Sequence, residues 1–450
     1  PDRFPTIPLG MSSFASGEGA SYQALPQRTN SRRKRWRSAE VDGTDSAIVE
    51  SSLFISRKES YLGKAIVVDG SMGEGGGQII RNAMTLSCLF KHTLSINNIR
   101  AGRKVPGLRQ QHLTGAILSA RLAGGQLGAN AKVQSNELSF IPPSGKGSRK
   151  VGANKIVADC KTAGSVTLLL QTCLPLLHFS SDAVAVELVG GTSVAFSPPY
   201  IFFEKVLLPI LNMHFKASVL VKLVKEGFFP RGGGRVLLQT DGGSGKTMCP
   251  IDLVERGPLE KVDCYVKFIG DEWGRLQGTQ SIKSQEQAVE DIVNKTIGTF
   301  FPGSTAIVYH VSRSEVSKGK KGPSTGVEIQ LVASTKNKCL LSGNALVYRK
   351  SACGLGAEAA VVAANNLATE LKSSACVSEH LADQLIIFMA LAKGTSRIRI
   401  RPTSTFSSRH LETGIYIIKE LVNKAQIRVY PNPKDNGESE IVECQGIGFT

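Results

Sequence analysis

Hydrophobic positions along this chain fall into a phrase that recurs: a short β-branched run, a turn of small residues, then apolar residues at helical spacing. Residues 65–69 lead through the glycine-rich turn 70–77 into a helix predicted over 78–90. Residues 155–159 lead through Thr162, Ala163, Gly164 and Ser165 into a helix over 166–177. Residues 183–188 lead through Gly190, Gly191, Thr192 and Ser193, then Pro198 and Pro199, into a helix ending near 211. A weaker instance starts at Val377, with a helix over 381–391 and a strand over 396–400. This spacing predicts an α+β fold (α/β repeats) of sheet-and-helix units, each presenting a Gly/Ser turn at a helix N-terminus, with the turns facing one cleft.

The phrase stops between Gly234 and about residue 372, where strands are predicted over 261–269, 306–311 and 326–332 and helices over 284–297 and 357–372. Residues 252–372 therefore read as a smaller inserted α/β domain, and 61–251 with 373–450 as the body it interrupts. Residues 1–60 show neither period and are rich in Ser, Gly, Pro, Gln and Arg, so a disordered N-terminal extension is expected there. Its run 31–37, with Arg32, Arg33, Lys34, Arg35 and Arg37, suits a nuclear address, a phosphate-binding arm or a solvated charge cluster. Glu18, Glu40, Asp42, Asp45 and Glu50 count against a transit peptide.

Composition narrows the partners. At 450 residues and 41% hydrophobic content, the chain can bury a core without disulfide or metal staples, and it lacks an uninterrupted apolar run long enough for a membrane span. The nine cysteines are odd in number and scattered, with no CxxC pair, which argues for a reducing compartment, no disulfide-linked partner and no zinc module. The formal charge of +17, of which the first 60 residues carry only +2, predicts a polyanionic partner for the folded body.

Several segments could carry chemistry. Gly242, Gly243, Ser244, Gly245, Lys246 and Thr247 imitate the end of a phosphate-binding P-loop, but Thr240 stands where glycine is needed and Pro250 follows instead of a helix. The turn Gly73, Glu74, Gly75, Gly76, Gly77, with Arg81 on the first turn of the following helix, offers free backbone N–H groups to an anion. Glu74 suits that setting if a divalent metal stands between it and a polyphosphate; otherwise the turn is a tight bend with a solvated carboxylate. The loop 100–112 holds Arg100, Arg103, Lys104, Arg109, Gln111 and His112 between glycines and a proline, either a bidentate phosphate grip or a solvated basic loop. Among seven histidines, His178 and His214 lie in apolar surroundings and read as packing residues. His380, with Asp383 and Gln384, sits at a helix start, and His410 opens another helix after a polar stretch.

Taken in order, the segments 73–81, 100–112, 162–171, 190–199, 227–234 and 380–385 resemble the successive signatures of RNA 3'-terminal phosphate cyclases, over about residues 62–450. The resemblance implies three repeated sheet-and-helix units similar to those of enolpyruvyl transferases, with a smaller α/β domain inserted before the last part. It implies that a histidine, here His410, attacks the α-phosphate of ATP, releases pyrophosphate and holds AMP. AMP then passes to an RNA 3'-terminal phosphate, and the vicinal 2'-OH closes a 2',3'-cyclic phosphodiester. Carried over position by position, Glu74 would bind Mg2+ or Mn2+, and Arg81, Arg100, Arg103 and Gln111 would grip the phosphate or RNA end. Gln171, Pro198, His380, Asp383 and Gln384 would form the nucleotide pocket. His380 replaces a tyrosine frequent in the family, and Gly414 an asparagine common in bacterial members. The alternatives are a non-catalytic cyclase-like factor of pre-rRNA processing and ribosome biogenesis, an enolpyruvyl transferase, and a basic RNA-binding scaffold. The first predicts loss of the histidine and erosion of the glycine–glutamate turn, and both are present. The family and the basic run point to the nucleus (nucleoplasm), with the cytoplasm as a second location.

Overall fold

The computed structural model describes Phe54–Ile55 and residues 65–450, other than 144–154, 218, 244, 271–272, 274–276, 301–306, 315–324 and 350–353. The basic run 31–37 and most of the expected N-terminal extension lie outside the described residues. Phe54–Ile55 (β1), within that range, pairs in parallel with Leu127 and Gly128.

The first unit runs Ile66–Asp69 (β2), Gly77–Phe90 (α1), Leu94–Asn97 (β3), Gln110–Ala123 (α2), Gln126–Gly128 (β4) and Leu138–Ile141 (β5). The second runs Ile156–Asp159 (β6), Val166–His178 (α3), Val184–Gly190 (β7), the helical segment 200–215 (α4), Leu220–Lys225 (β8) and Gly234–Thr240 (β9). The predicted phrases at 155–177 and 183–211 thus form one unit. Segment α4 alternates α turns with π turns at Phe203–Leu207 and Leu211–Phe215, passing Pro209, which has no N–H to donate.

After Asp252–Leu253 (β10) the chain departs into Leu259–Ile269 (β11), Ile282–Ile297 (α5), Ile307–Ser314 (β12), Thr325–Thr335 (β13), Leu340–Arg349 (β14) and Leu355–Lys372 (α6). It then returns through Glu379–Leu391 (α7), Lys393–Ile400 (β15), His410–Leu421 (α8), Gln426–Pro431 (β16) and Glu440–Ile447 (β17).

The three sheets have one plan. Their strand orders are β2-β3-β5-β4, with β1 beyond β4, then β6-β7-β9-β8 and β10-β15-β17-β16. In each, the first two strands are parallel and the remaining pairs antiparallel, apart from the added β1, which is parallel to β4. The last unit's first strand is therefore β10, not the neighbourhood of Val377, and its first crossover is where the chain departs. Two strand residues cannot signal themselves by periodicity, so the third repeat is faint in the sequence.

Helices from all three units share one core. Helix α1 buries Ile79, Ile80, Ala83, Met84 and Leu86 and packs on α2, α3 and α8. Each large aliphatic side chain so buried contributes about 1.5–3 kcal/mol of transfer free energy. A second core, including Val262, Phe268, Val293, Ile329 and Leu367, lies between the sheet β12-β11-β13-β14 and helices α5 and α6. Among the described residues no helix is long and apolar enough to cross a membrane, and the eight described cysteines are free thiols.

Candidate active site

The chain brings Glu74 to His410 by seating the glycine turn on the first turn of α8. Gly73 and Gly75 take the left-handed conformation, with φ of 61° and 59°, which glycine adopts without strain. A Cβ at Gly73 would stand 2.3 Å from Thr413 Oγ1, and the Glu74 N–H donates to that hydroxyl at 3.0 Å. Glu74 Oε2 lies against Nδ1 of His410, the first residue of α8. Glu74 Oε1 accepts from Arg103 Nη2, which also donates to the Glu74 carbonyl at 3.0 Å.

Arg81 is half-buried and feels the charges of both Asp383 and Glu74. Gly77, the first residue of α1, explains how closely these two side chains approach: a Cβ there would fall 2.5 Å from His112 Nε2 and 3.0 Å from Arg81 Nη1. His112 Nδ1 accepts the Arg109 N–H at 3.2 Å, so in the neutral ring the proton sits on Nε2, which faces the α1 N-terminus. Helix α1 starts at Gly76 with no side-chain cap, leaving its first N–H groups available.

Electrostatics follow from this packing. Burial works to raise the Glu74 pKa, but hydrogen bonds and charge from His410 and Arg103 outweigh it and hold the carboxyl at about 2. Burial would depress His410; Glu74 and Asp383 overcome it, with Arg81 opposing, and the ring titrates above its ordinary value. Burial pushes Asp383 up to about 6 against the pull of His410, His380 and Arg81, and its Oδ1 has no hydrogen-bond partner. Burial and the charges of Arg81, Arg100 and Arg109 press His112 down to about 3, so it is neutral.

Of the expected residues, Glu74, Arg81, Arg103, Asp383 and His410 are thus in one group, with exposed His380 on the next turn of α7 from Asp383. Arg100 is half-buried beside Arg103 and Arg109. Gln384 turns its amide back to the His380 carbonyl at 2.5 Å. Gln111 Oε1 accepts the Ser165 N–H at 3.1 Å, joining the first two units. Pro198 is tied to α3 through its carbonyl, which accepts from Thr167 Oγ1 at 2.6 Å, and Gln171 lies one turn further along that helix. No hydrogen bond or ion pair joins Gln171 or Pro198 to the Glu74–His410 group among the described residues. Gly414 is required by packing, since a Cβ there would stand 2.9 Å from Ile386 Cγ2.

Sequence reasoning noticed His112 without giving it a role and passed over Thr413 and Gln78, whose Nε2 donates to the Asp383 carbonyl at 3.4 Å. The adjacency of His112 to Gln111 was the available signal. His178 is buried, and His310 pairs with Asp263 at 2.8 Å in the insert, away from this group. Among the described residues no three His, Cys, Asp or Glu side chains form a metal-sized cluster. Glu74 is the one carboxylate of the glycine turn, and with its oxygens on Arg103 and His410 it would have to share them with any cation completed by substrate phosphate oxygens.

A half-buried histidine held against a carboxylate, beside an uncapped helix and three arginines, suits phosphate chemistry, and comparison with known proteins narrows the class. A family model described as RNA 3'-terminal phosphate cyclase matches residues 72–428. Proteins named RNA 3'-terminal phosphate cyclase align from Pyrobaculum aerophilum (31% identity over 86% of this chain and 99% of that one) and Trichormus variabilis (34%, over 79% and 93%). One from Drosophila melanogaster aligns at 31% identity over 86% of this chain and 97% of its own. The chain belongs to the RNA 3'-terminal phosphate cyclase family. A solved inositol-3-phosphate synthase from Caenorhabditis elegans aligns over 37% of this chain and 32% of its own, with 15% identity and a TM-score of 0.16, too low to bear on the fold.

Proposed function

We propose that this enzyme converts an RNA 3'-terminal phosphate to a 2',3'-cyclic phosphodiester with ATP, through AMP held covalently on His410. The close approach of Glu74 to His410 Nδ1 carries this reading, because a carboxylate there favours the proton on Nδ1 and so Nε2 as the nucleophile. Nε2 attacks the α-phosphorus of ATP, the bond to the β-phosphate oxygen breaks, and pyrophosphate leaves. Glu74 then steadies the positive ring. The RNA 3'-phosphate oxygen attacks the same phosphorus and frees His410; the 2'-OH next attacks the terminal phosphorus and AMP departs. Arg81, Arg100 and Arg103, with the neutral Nε2–H of His112 and the Gln111 amide, would hold phosphate oxygens on this path. Mg2+ or Mn2+ on Glu74 and the phosphates would offset the charge of the polyphosphate.

Asp383, next to His410 and His380, supports a nucleotide pocket there with Gln384, Gln171 and Pro198 around it. The common strand order of the three sheets supports an enolpyruvyl transferase-like plan, and the separate second core supports a body carrying an insert close to the expected 252–372, with the boundary moved past Asp252 and Leu253, which pair with β15 in the body. We place the enzyme in the nucleus (nucleoplasm), with the cytoplasm second; a tagged chain lacking residues 32–37 that still accumulates in nuclei removes the support of the basic run.

The activity is tested with RNA labelled at its 3'-terminal phosphate. The expected product resists phosphatase and appears only with ATP. Phosphatase-sensitive label after incubation with ATP contradicts the reading and favours the non-catalytic processing factor.

A further inference from the structure

Polar groups lead outward from Gln111, which lines one small cavity with Arg81 and His112. Gln111 holds the Ser165 N–H, the Ser165 and Thr167 hydroxyls lie 2.7 Å apart, and Thr167 holds the Pro198 carbonyl. The loop bearing Pro198 is fastened to the loop after β8: the Thr192 N–H donates to the Gly227 carbonyl at 2.7 Å, and Ser193 bridges Phe228. That second loop rests on the turn before α3, where a Cβ at Gly232 would come within 2.5 Å of the Thr162 carbonyl.

Two phenylalanines stand on the rim of these joined loops. Phe196 is 99% exposed and has a φ of 62°, a conformation rare for a bulky side chain, and Phe229 is 58% exposed. Neither ring contributes to a core. Exposed Arg231 follows Phe229, and residues 190–199 and 227–234 contain no Asp or Glu. Flat apolar faces beside an unopposed guanidinium complement a flexible polyanion carrying planar bases, which is single-stranded RNA rather than a duplex or an apolar peptide. With aromatics only 6% of the chain, a short platform suits a few nucleotides, not a long strand.

We propose that Phe196, Phe229 and Arg231 form a stacking platform for the nucleotides that precede the RNA 3'-terminal phosphate. The proposal rests on the reading of His410 as the reaction centre, and it makes the enzyme prefer single-stranded ends several nucleotides long.

The test uses the full chain and single-stranded RNAs with 3'-phosphates, two and ten nucleotides long, with affinity read by fluorescence anisotropy without ATP. Labelling of each protein by α-labelled ATP is followed in parallel. Phe196→Ala and Phe229→Ala should each weaken the ten-nucleotide RNA by roughly tenfold. The two-nucleotide RNA and the ATP labelling should change less than about twofold, and tryptophan at either position should restore binding. Arg231→Ala should reduce the slope of log affinity against log salt by about 0.7. Equal weakening of both RNAs, unchanged binding when Phe196→Ala and Phe229→Ala are combined, or lost ATP labelling with RNA binding intact would overturn the platform. Absence of ATP labelling in the unaltered protein would sink the histidine mechanism instead, leaving the length dependence to stand or fall by itself.

Discussion

At the scale of single residues, His410 is set by opposing forces that can be separated. Burial alone would favour its neutral ring, while Glu74 and Asp383 favour the charged one and prevail. Attack on ATP needs the neutral ring, so ATP labelling should rise with pH through a midpoint above the ordinary histidine value of about 6.5. In Glu74→Gln the largest upward influence on His410, the Glu74 hydrogen bond, disappears together with the Glu74 charge while that of Asp383 remains, and the midpoint should move to lower pH, with a slower plateau. A pH–rate profile with the same midpoint in both proteins contradicts the assignment. Asp383 gives a second test. Its folded pKa of about 6 lies above the reference 3.8, so the stability it contributes is present below that reference and lost as pH rises through about 6. Asp383→Asn should therefore melt higher than the unaltered protein at pH 7.5, with the difference closing near pH 4, while ATP labelling falls. A lower melting temperature at pH 7.5 would show that the carboxylate is favourably held. Sequence patterning identified each of these side chains as a candidate; it had no means of joining Glu74 to His410 across more than three hundred residues. That contact depends on the Thr413 hydroxyl accepting the Glu74 N–H, a long-range bond without a local signal.

Turns and helix starts are the elements that do the positioning. Each β-branched run and its small-residue turn was readable, because a strand feeding a helix needs residues that tolerate close approach at the junction. The ends of α1, α2 and α8 were readable for the same reason. Less readable was the third unit, whose first strand is two residues long and separated from α7 by the insert. The crowding at Gly77 was hidden too, since it arises from a side chain on α2. Gly77→Ala should force His112 and Arg81 aside, costing on the order of 1–3 kcal/mol of stability as overpacking does. It should weaken binding of a 3'-phosphorylated RNA by roughly tenfold while helix content stays constant. Calorimetry and anisotropy check the two halves; full-strength RNA binding in a stable Gly77→Ala protein would place the phosphate elsewhere.

Across the whole molecule, three sheets of one plan share a helical core, and Glu74, Arg81 and Arg103 of the first unit meet His410 and Asp383 of the third. The net charge of +17 is a property of that body more than of its N-terminal segment. Recognition of an RNA end by a few arginines should show moderate salt dependence, with a slope near −2 if about three phosphates are contacted, whereas a long-strand scaffold would be much steeper. Affinity titrations between low and physiological salt decide between them. The central claim is the bond between His410 and AMP. Its direct measurement is incubation of the protein and of His410→Ala with α-labelled ATP and magnesium, followed by denaturation and detection of label on the chain. Acid-labile label is expected on the unaltered protein only, discharged by RNA ending in a 3'-phosphate and retained with RNA ending in a 3'-hydroxyl. Label that persists on His410→Ala, or cyclic product formed by that variant at the normal rate, would contradict it.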